Sequence, residues 1–185
     1  IDFVRRFQDA NPGIDMTIRD GRAQLLQDAL IAGEIDVALF GLPGPVDDRL
    51  QGRPLFEERF LITFAPGHRF EAMNAVPLAE LNDERYLSRA SCEFGEFMSG
   101  LLAERGFGVR RCYRSERDDW IQAMVAAGLG FGFTPEFAVT VPGVLGRPLV
   151  EPEVKRVLNV VTVRGRPHTP AVAALMKAAV TYRWI

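Results

Sequence analysis

The sequence predicts an α/β protein made of two lobes that share one architecture. Three observations support this class. Helical and strand patterns alternate along most of the 185 residues, as they do in βαβ units. A second set of alternations begins after residue 65. Apolar residues make up 48% of the chain, which is ordinary for a protein with a buried core.

The first lobe is predicted to start with a helix, a strand and a second helix. The apolar face of the first helix carries Phe3, Val4 and Phe7. Asn11-Pro12-Gly13 ends that helix, and residues 14–18 alternate as a strand does. The second helix ends at Gly33, and its core face is predicted to carry Leu25, Leu26, Ala29 and Leu30.

A buried strand then covers residues 35–40. Because a mostly parallel sheet needs a strand before the first helix, we expect the first strand of this lobe to be missing from the sequence.

The second lobe repeats the alternation with strands near residues 86–89, 109–115 and 130–134. Two apolar stripes mark its helices, namely Phe94, Phe97, Met98, Leu101 and Leu102, then Trp120, Ile121, Met124 and Val125. Long strands near residues 57–64 and 156–163 are predicted to cross between the lobes. A terminal helix, with Thr169 as its cap and Pro170 at its first position, returns to the first lobe. The predicted boundaries are 1–65 with 149–185 for one lobe and 66–148 for the other.

Composition excludes several classes of protein. The net charge is −2, and the Arg-rich run 110–114 is followed at once by acidic residues, so we interpret it as a solvated mixed-charge surface. No apolar run is long enough to span a bilayer. Two cysteines form no disulfide framework, and no metal-ligand spacing is present, so we predict a cytoplasmic location, no metal and no cofactor.

Catalytic constellations are absent from the sequence. His68 and His168 are the only histidines, and both are predicted to be solvent-exposed turn residues. No nucleophile elbow, phosphate loop or dinucleotide fingerprint occurs. Gly128, Gly130 and Gly132 fit a helix end that runs into a closely packed strand. The acidic pairs Glu57-Glu58 and Asp118-Asp119 are adjacent, so we predict surface or capping charges. The chain is therefore not expected to be an enzyme.

Polar residues follow the ends of the predicted strands, where open α/β sheets bind ligands. We predict that a small molecule binds in a cleft lined by these positions, namely Gly21, Arg22, Arg89, Ser91, Cys92, Ser115, Glu116, Thr134 and Pro135. The simpler interpretation is that Ser91, Ser115 and Thr134 cap the helices that follow, and capping and binding are compatible.

The ligand is expected to be a small anionic or aromatic metabolite. Arg22 and Arg89 could grip a carboxylate, since a guanidinium presents a planar fork of donors. The alternative is that Arg22 lies on the surface and Arg89 pairs with Glu93 or Glu116.

Several motifs together resemble the effector-binding domain of LysR-type transcriptional regulators. They are Asn11-Pro12-Gly13-Ile14, Leu26 to Ala38 with its Gly33-Glu34-Ile35-Asp36-Val37 core, Pro54 to Glu58, Ala65 to His68, and above all Met124 to Pro135. The resemblance implies the fold of type II periplasmic binding proteins, with two Rossmann-like lobes joined by two crossing strands.

The resemblance also implies a homodimer or tetramer that binds DNA only through an absent N-terminal winged helix-turn-helix. Phe3 and Phe7 are candidates for pairing, with core burial as the alternative.

Cys92 raises a second hypothesis, because it is predicted to lie at a helix start near Arg89, where a thiol pKa is lowered. The hydrogen-peroxide sensor of the same family has a reactive cysteine at a similar place. The position of that sensor's resolving cysteine is Leu101 here, and the other thiol, Cys112, lies on the following strand. The alternative is a partly buried structural cysteine.

Two further functions share the predicted scaffold. A transporter's solute-binding protein is disfavoured by the glycine-rich stretch and the free cysteines. An enzyme is disfavoured by the missing acid and base groups. The upstream coding sequence would distinguish a regulator from a transport component.

Overall fold

The computed structural model describes residues 1–185 and divides into two compact units. The first unit comprises Ile1–Glu57 and Val157–Ile185, and the second comprises Glu58–Arg156. The predicted boundaries, 65/66 and 148/149, lie further inside the second unit. The difference arises because Phe60 to Phe64 pair with strands of the second unit, so the division falls within the long crossing strands.

Five helices and eight strands make up the two units. The helices are α1 (Asp2–Ala10), α2 (Ala23–Ala32), α3 (Gly95–Glu104), α4 (Asp118–Ala126) and α5 (Pro170–Thr181). The strands are β1 (Ala38–Phe40), β2 (Leu50–Phe64), β3 (Val76–Pro77), β4 (Arg85–Arg89), β5 (Arg110–Ser115), β6 (Gly132–Pro135), β7 (Leu145–Val150) and β8 (Lys155–Val163). Short 3-10 turns occur at Arg69–Ala72, Leu78–Leu81 and Glu136–Ala138. None of the helices has the length and apolar composition needed to cross a membrane.

In the first unit, helices cover both faces of the sheet. β1 runs antiparallel to β8, with Ala38 opposite Val161, and β8 neighbours β2. Successive strand residues point to opposite faces, so Val160 and Val161 enter different clusters. Val161 packs with Leu30 of α2, whereas Val160 packs with Phe3 of α1 and with α5.

The aromatic residues of α1 belong to this core. Phe3 and Phe7 are buried, and Phe3 packs against Tyr182 and Trp184 at ring distances of 5.2 and 4.9 Å. Core burial, rather than pairing between chains, is therefore the role of these two rings.

In the second unit, parallel and antiparallel pairs are mixed, although the sequence predicted a mostly parallel sheet. β2 pairs antiparallel with β6 and with β7, and β3 runs parallel to β7. β4 runs parallel to β5, and Tyr86 of β4 forms a parallel bridge with Phe131, just before β6. The main core packs on Phe60, Phe64 and Phe70, among others.

The strand predicted at residues 14–18 is wrong. The chain from Ile14 to Arg22 lies outside helix and strand, and Ile18 is 67% exposed. An alternating pattern makes a strand only when a neighbouring strand accepts its N–H and C=O groups, and no strand of the structure pairs with this segment.

Three residues predicted on the core faces of α2, α3 and α4 are exposed, namely Leu25, Phe97 and Trp120. Each directly precedes the first member of an i,i+4 pair that packs inward, namely Leu26 with Leu30, Met98 with Leu102, and Ile121 with Val125. Because neighbouring helix residues are rotated by about 100°, the preceding side chain points away from the core.

The predicted cap of α5 and the predicted glycine positions are confirmed. The Thr169 hydroxyl accepts a hydrogen bond from the Val172 N–H at 3.2 Å. Gly33 ends α2 with a φ of 77°, in the left-handed region. A Cβ on Gly130 would lie 2.4 Å from the Arg85 carbonyl oxygen, and one on Gly132 would lie 2.6 Å from Thr63 Oγ1.

Candidate functional site

The carboxyl ends of β4, β5 and β6 lie at one edge of the second unit. Since these strands run parallel, their last residues, Arg89, Ser115 and Pro135, end at the same edge. The Ala90 N–H donates to the Ser115 carbonyl at 2.7 Å, so β4 and β5 stay paired up to their ends. This is the place where a parallel sheet offers polar groups to a ligand.

Arg89 and Ser91 lie half-buried at the end of β4. The Arg89 guanidinium Nη2 is 3.4 Å from Glu93 Oε2, so one of the two pairings anticipated from the sequence is present, with a long contact. The Ser91 hydroxyl has no hydrogen-bond partner in the protein.

The predicted helix capping by hydroxyls is wrong at this edge. Phe94 and Arg117 occupy the cap positions of α3 and α4, and neither supplies a side-chain cap. The Ser115 hydroxyl instead accepts from the Arg117 N–H at 3.1 Å. Thr134 is buried, with its hydroxyl 3.2 Å from that of Thr63. Their hydroxyls therefore already have partners within the protein.

The two helix starts differ in charge. α4 carries Asp118 and Asp119 in its first turn, whereas α3 carries only Glu96. Uncapped N–H groups at a helix start favour negative charge, and acidic side chains in the first turn already supply it at α4. Of the two, the start of α3 is better suited to an anion from outside the protein.

The two thiols have different surroundings. Cys92 is half-buried and packs against the main core. A Cβ on Gly95 would lie 3.7 Å from the Cβ of Cys92. Cys112 is exposed on β5 and donates to the Arg110 carbonyl at 3.3 Å. No group of three His, Cys, Asp or Glu side chains could hold a metal ion.

The remaining predicted site residues are placed as follows. Glu116 is exposed beside α4, and Pro135 is buried at the end of β6. Gly21 and Arg22 belong to the first unit, and both are exposed directly before α2, where Arg22 has the extended backbone of a cap residue.

The segment after β6 is held by side chains that the sequence analysis did not single out. Arg59 Nε and Nη2 each lie 3.0 Å from a carboxylate oxygen of Glu136. The buried Gln122 amide oxygen accepts from the N–H groups of Thr140 and Val141, at 2.9 and 3.2 Å. Its Nε2 donates to the Ala138 carbonyl at 2.8 Å.

Glu58 is also buried here, so its prediction as a surface or capping charge is wrong. Its side chain is only 3% exposed, against 16% for Arg156. Glu58 Oε1 accepts from Arg156 Nε and Nη2 at 2.8 and 2.7 Å, and Oε2 accepts from the Phe137 N–H at 3.0 Å. Glu58, Phe60 and Ile62 are spaced two residues apart, so they point to the same face of the strand. A charged residue in such an inward-facing apolar series is a sequence signal for a buried ion pair.

The histidines differ from each other. His168 is exposed, as predicted, but His68 is half-buried against Phe64 and Phe70. Its Nδ1 accepts from the Phe70 N–H at 3.3 Å. Burial lowers the pKa of the His68 imidazole below its ordinary value.

Similarity to known proteins covers nearly the whole chain. Transcriptional dual regulator GltC of Bacillus subtilis is 27% identical over 173 residues, which cover 91% of this chain and 57% of that protein. DNA-binding transcriptional dual regulator OxyR of Escherichia coli is 26% identical over 162 residues, covering 84% and 52%. The chain therefore spans about half the length of the relatives it matches.

The fold is shared with a solved regulatory domain. The CcmR regulatory domain of Synechocystis, in complex with 2-PG, gives a TM-score of 0.86 at 16% identity, covering 97% of this chain and 88% of that one. The sequence also matches the family described as the LysR substrate binding domain over residues 1–183. The chain thus has the type II periplasmic-binding-protein fold and belongs to the LysR substrate-binding family as the effector-binding domain of a LysR-type regulator.

Proposed function

We propose that this chain senses a small anionic molecule, and that Arg89 and Ser91 contact it. The observation that carries the proposal is the half-buried Ser91 hydroxyl, which lacks a protein partner, beside Arg89 and shortly before the uncapped start of α3. A guanidinium, a hydroxyl and helix N–H groups are donors that suit a carboxylate or phosphate. The complex of the CcmR regulatory domain with 2-PG supports small-molecule binding on this fold.

Other predicted residues enter the proposal with different support. Cys92, Glu116 and Pro135 lie on the same edge of the second unit and are retained as neighbours of the molecule. Ser115 and Thr134 contribute their backbone groups, because their hydroxyls are engaged elsewhere. For Gly21 and Arg22, which belong to the first unit, the proposal rests on the sequence alone.

In the longer protein, we propose that binding of the molecule changes how a winged helix-turn-helix engages DNA in the cytoplasm. The relatives are transcriptional regulators, which favours this function over solute transport and over catalysis. We also propose that the chain forms a homodimer or tetramer. Exposed Tyr113 and Trp120 support a self-association surface, together with β5, whose only strand neighbour is β4.

Calorimetry of the chain against small carboxylates and phosphates, with 2-PG among them, tests the proposal. We expect one anion to bind, with affinity at least about tenfold weaker for Arg89→Ala and severalfold weaker for Ser91→Ala. The affinity of Arg22→Ala is measured separately, because the proposal for Arg22 rests on the sequence alone. Arg114→Ala is the matched control, because Arg114 is exposed on β5 and has no partner. Equal affinity of the wild type and Arg89→Ala would remove Arg89 from the site, and no binding by any anion would overturn the assignment.

Peroxide sensing by Cys92 is the second candidate, favoured by the similarity to OxyR. Hydrogen peroxide would transfer one oxygen to the Cys92 thiolate, giving a sulfenic acid, as its O–O bond breaks. The second oxygen leaves as hydroxide, which takes a proton from solvent to become water. Trapping of the sulfenic acid in a Cys112→Ser background is the test. A Cys92 that forms no adduct under peroxide at neutral pH would eliminate this function.

A further inference from the structure

Glu58 and Arg156 are the first and last residues of the second unit. They lie on β2 and β8, the two strands by which the chain enters and leaves that unit. One buried carboxylate therefore joins both crossing points, through two hydrogen bonds from the Arg156 guanidinium. The same carboxylate also holds a backbone group outside these strands, the Phe137 N–H.

Side chains of β2 extend its pairing with β6 beyond the last backbone pair. That pair places Phe60 opposite Pro135. Beyond the Phe60–Pro135 pair, the Arg59 guanidinium binds the Glu136 carboxylate, and the Glu58 carboxylate accepts from the Phe137 N–H. Consecutive residues of β2 thus hold consecutive residues of the turn Glu136–Ala138, which follows Pro135 directly.

The ion pair alone does not explain why a carboxylate occupies this place. A buried ion pair is costly to desolvate, and apolar residues of similar volume commonly replace one with little loss of stability. An apolar side chain could pack the two strands together, but it could not accept the Phe137 N–H. What Glu58 contributes, and an apolar residue could not, is the oxygen that accepts the hydrogen bond from the Phe137 N–H.

We propose that Glu58 is a positioning residue that fixes the turn Glu136–Ala138 to the crossing strands. A displacement of β8 against β2 at Arg156 would then move the carboxylate and, with it, the turn beside Pro135. The link to effector sensing rests on the proposed function, which places Pro135 at the binding edge. The positioning itself depends only on contacts within the second unit.

Amide hydrogen exchange of the chain, followed by NMR, tests the proposal on a matched pair of variants. Both carry Arg156→Met, and they differ only at position 58, with Glu58→Gln in one and Glu58→Met in the other. Gln keeps an oxygen for the Phe137 N–H, whereas Met does not. We expect Phe137 to exchange at least about tenfold faster in the Met variant, relative to the Leu87 amide, which bonds the Phe131 carbonyl and reports global opening.

Two single variants complete the design. Glu58→Gln alone should leave Phe137 protected, and this arm stands if a double variant fails to fold. Arg59→Gln removes the more exposed pair with Glu136 and should also leave Phe137 protected. Equal protection of Phe137 in the two doubles would overturn the proposal, as would loss of protection in Glu58→Gln or in Arg59→Gln. No ligand is used, so a failed anion panel would count against the proposed function without affecting this result.

Discussion

Gly130 lies so close to Arg85 that a Cβ at position 130 would be 2.4 Å from the Arg85 carbonyl oxygen and 3.0 Å from its carbon. The same carbonyl accepts the Phe131 N–H at 2.8 Å, and the Leu87 N–H donates to the Phe131 carbonyl at 2.9 Å. The missing side chain at Gly130 is what allows the chain to approach β4 and form both bonds. This approach sets the carboxyl ends of β4 and β6 at one edge.

Gly130→Ala should destabilise the protein by about 1–3 kcal/mol, because the two nearest atoms that a Cβ would meet are backbone and cannot rotate away. Urea unfolding measures the change. Gly100→Ala is the control in the opposite direction. Gly100 lies within α3 with nothing near a Cβ, so alanine should stabilise by about 0.5–1 kcal/mol. A stability loss in both variants would contradict the explanation.

Gln122→Leu should cost about 2–4 kcal/mol, because it leaves the N–H groups of Thr140 and Val141 without an acceptor. The loss should appear in the midpoint of chemical unfolding. Gln24→Leu, on the exposed side of α2, should change stability by less than about 0.5 kcal/mol. Similar losses for the two leucine variants would show that the buried amide is not the cause.

Thr169→Ala should cost about 1 kcal/mol by removing the acceptor for the Val172 N–H at the start of α5. Differential scanning calorimetry should register a lower Tm. Thr140→Ala serves as its control, since the exposed Thr140 hydroxyl bonds to no other group. An unchanged Tm for Thr169→Ala would mean that this cap contributes nothing to stability.

Stability should fall as the pH drops below about 6.5, the ordinary pKa of histidine, because burial lowers the pKa of His68 in the folded protein. Between the folded and unfolded pKa values, the unfolded chain binds a proton that the folded chain does not. The contribution is therefore fully present above the unfolded value and is lost progressively as the pH falls from the unfolded value through the folded one. Asp2 and Asp47, with pKa values held near 2 by Arg5 and Arg49, do not titrate in this window.

Unfolding titrations at pH 5.5 and 7.5 measure this dependence. His68→Gln should show a smaller stability difference between the two pH values than the wild type. His168→Gln, at an exposed position, should keep the wild-type difference. The same slope in all three proteins would rule out His68 as the source.

Local chemistry made much of the fold predictable from the sequence. Phe3 with Phe7, Met98 with Leu102, and Ile121 with Val125 follow the helix period, and their burial is confirmed. The stop at Gly33 and the start at Thr169 also follow from backbone preferences that act within one turn. The edge carrying Arg89 and Ser91 was predicted because a strand end before a helix is visible in the residue order.

The structure decided those features that depend on which segments become neighbours. Residues 14–18 carry a strand pattern but have no partner strand, and Ser115 and Thr134 use their hydroxyls on a nearby N–H and on Thr63 instead of on helix starts. Glu58 reads as one of two adjacent acids, yet it is buried because Arg156, distant in sequence, supplies its counter-charge. Periodicity and caps act over a few residues, so the sequence determined the elements and their polar ends. The partners of β2, β6 and β8 depend on contacts between segments that are distant in the sequence. Only the tertiary structure therefore decided which polar groups find hydrogen-bond partners within the protein, and the Ser91 hydroxyl is one that finds none.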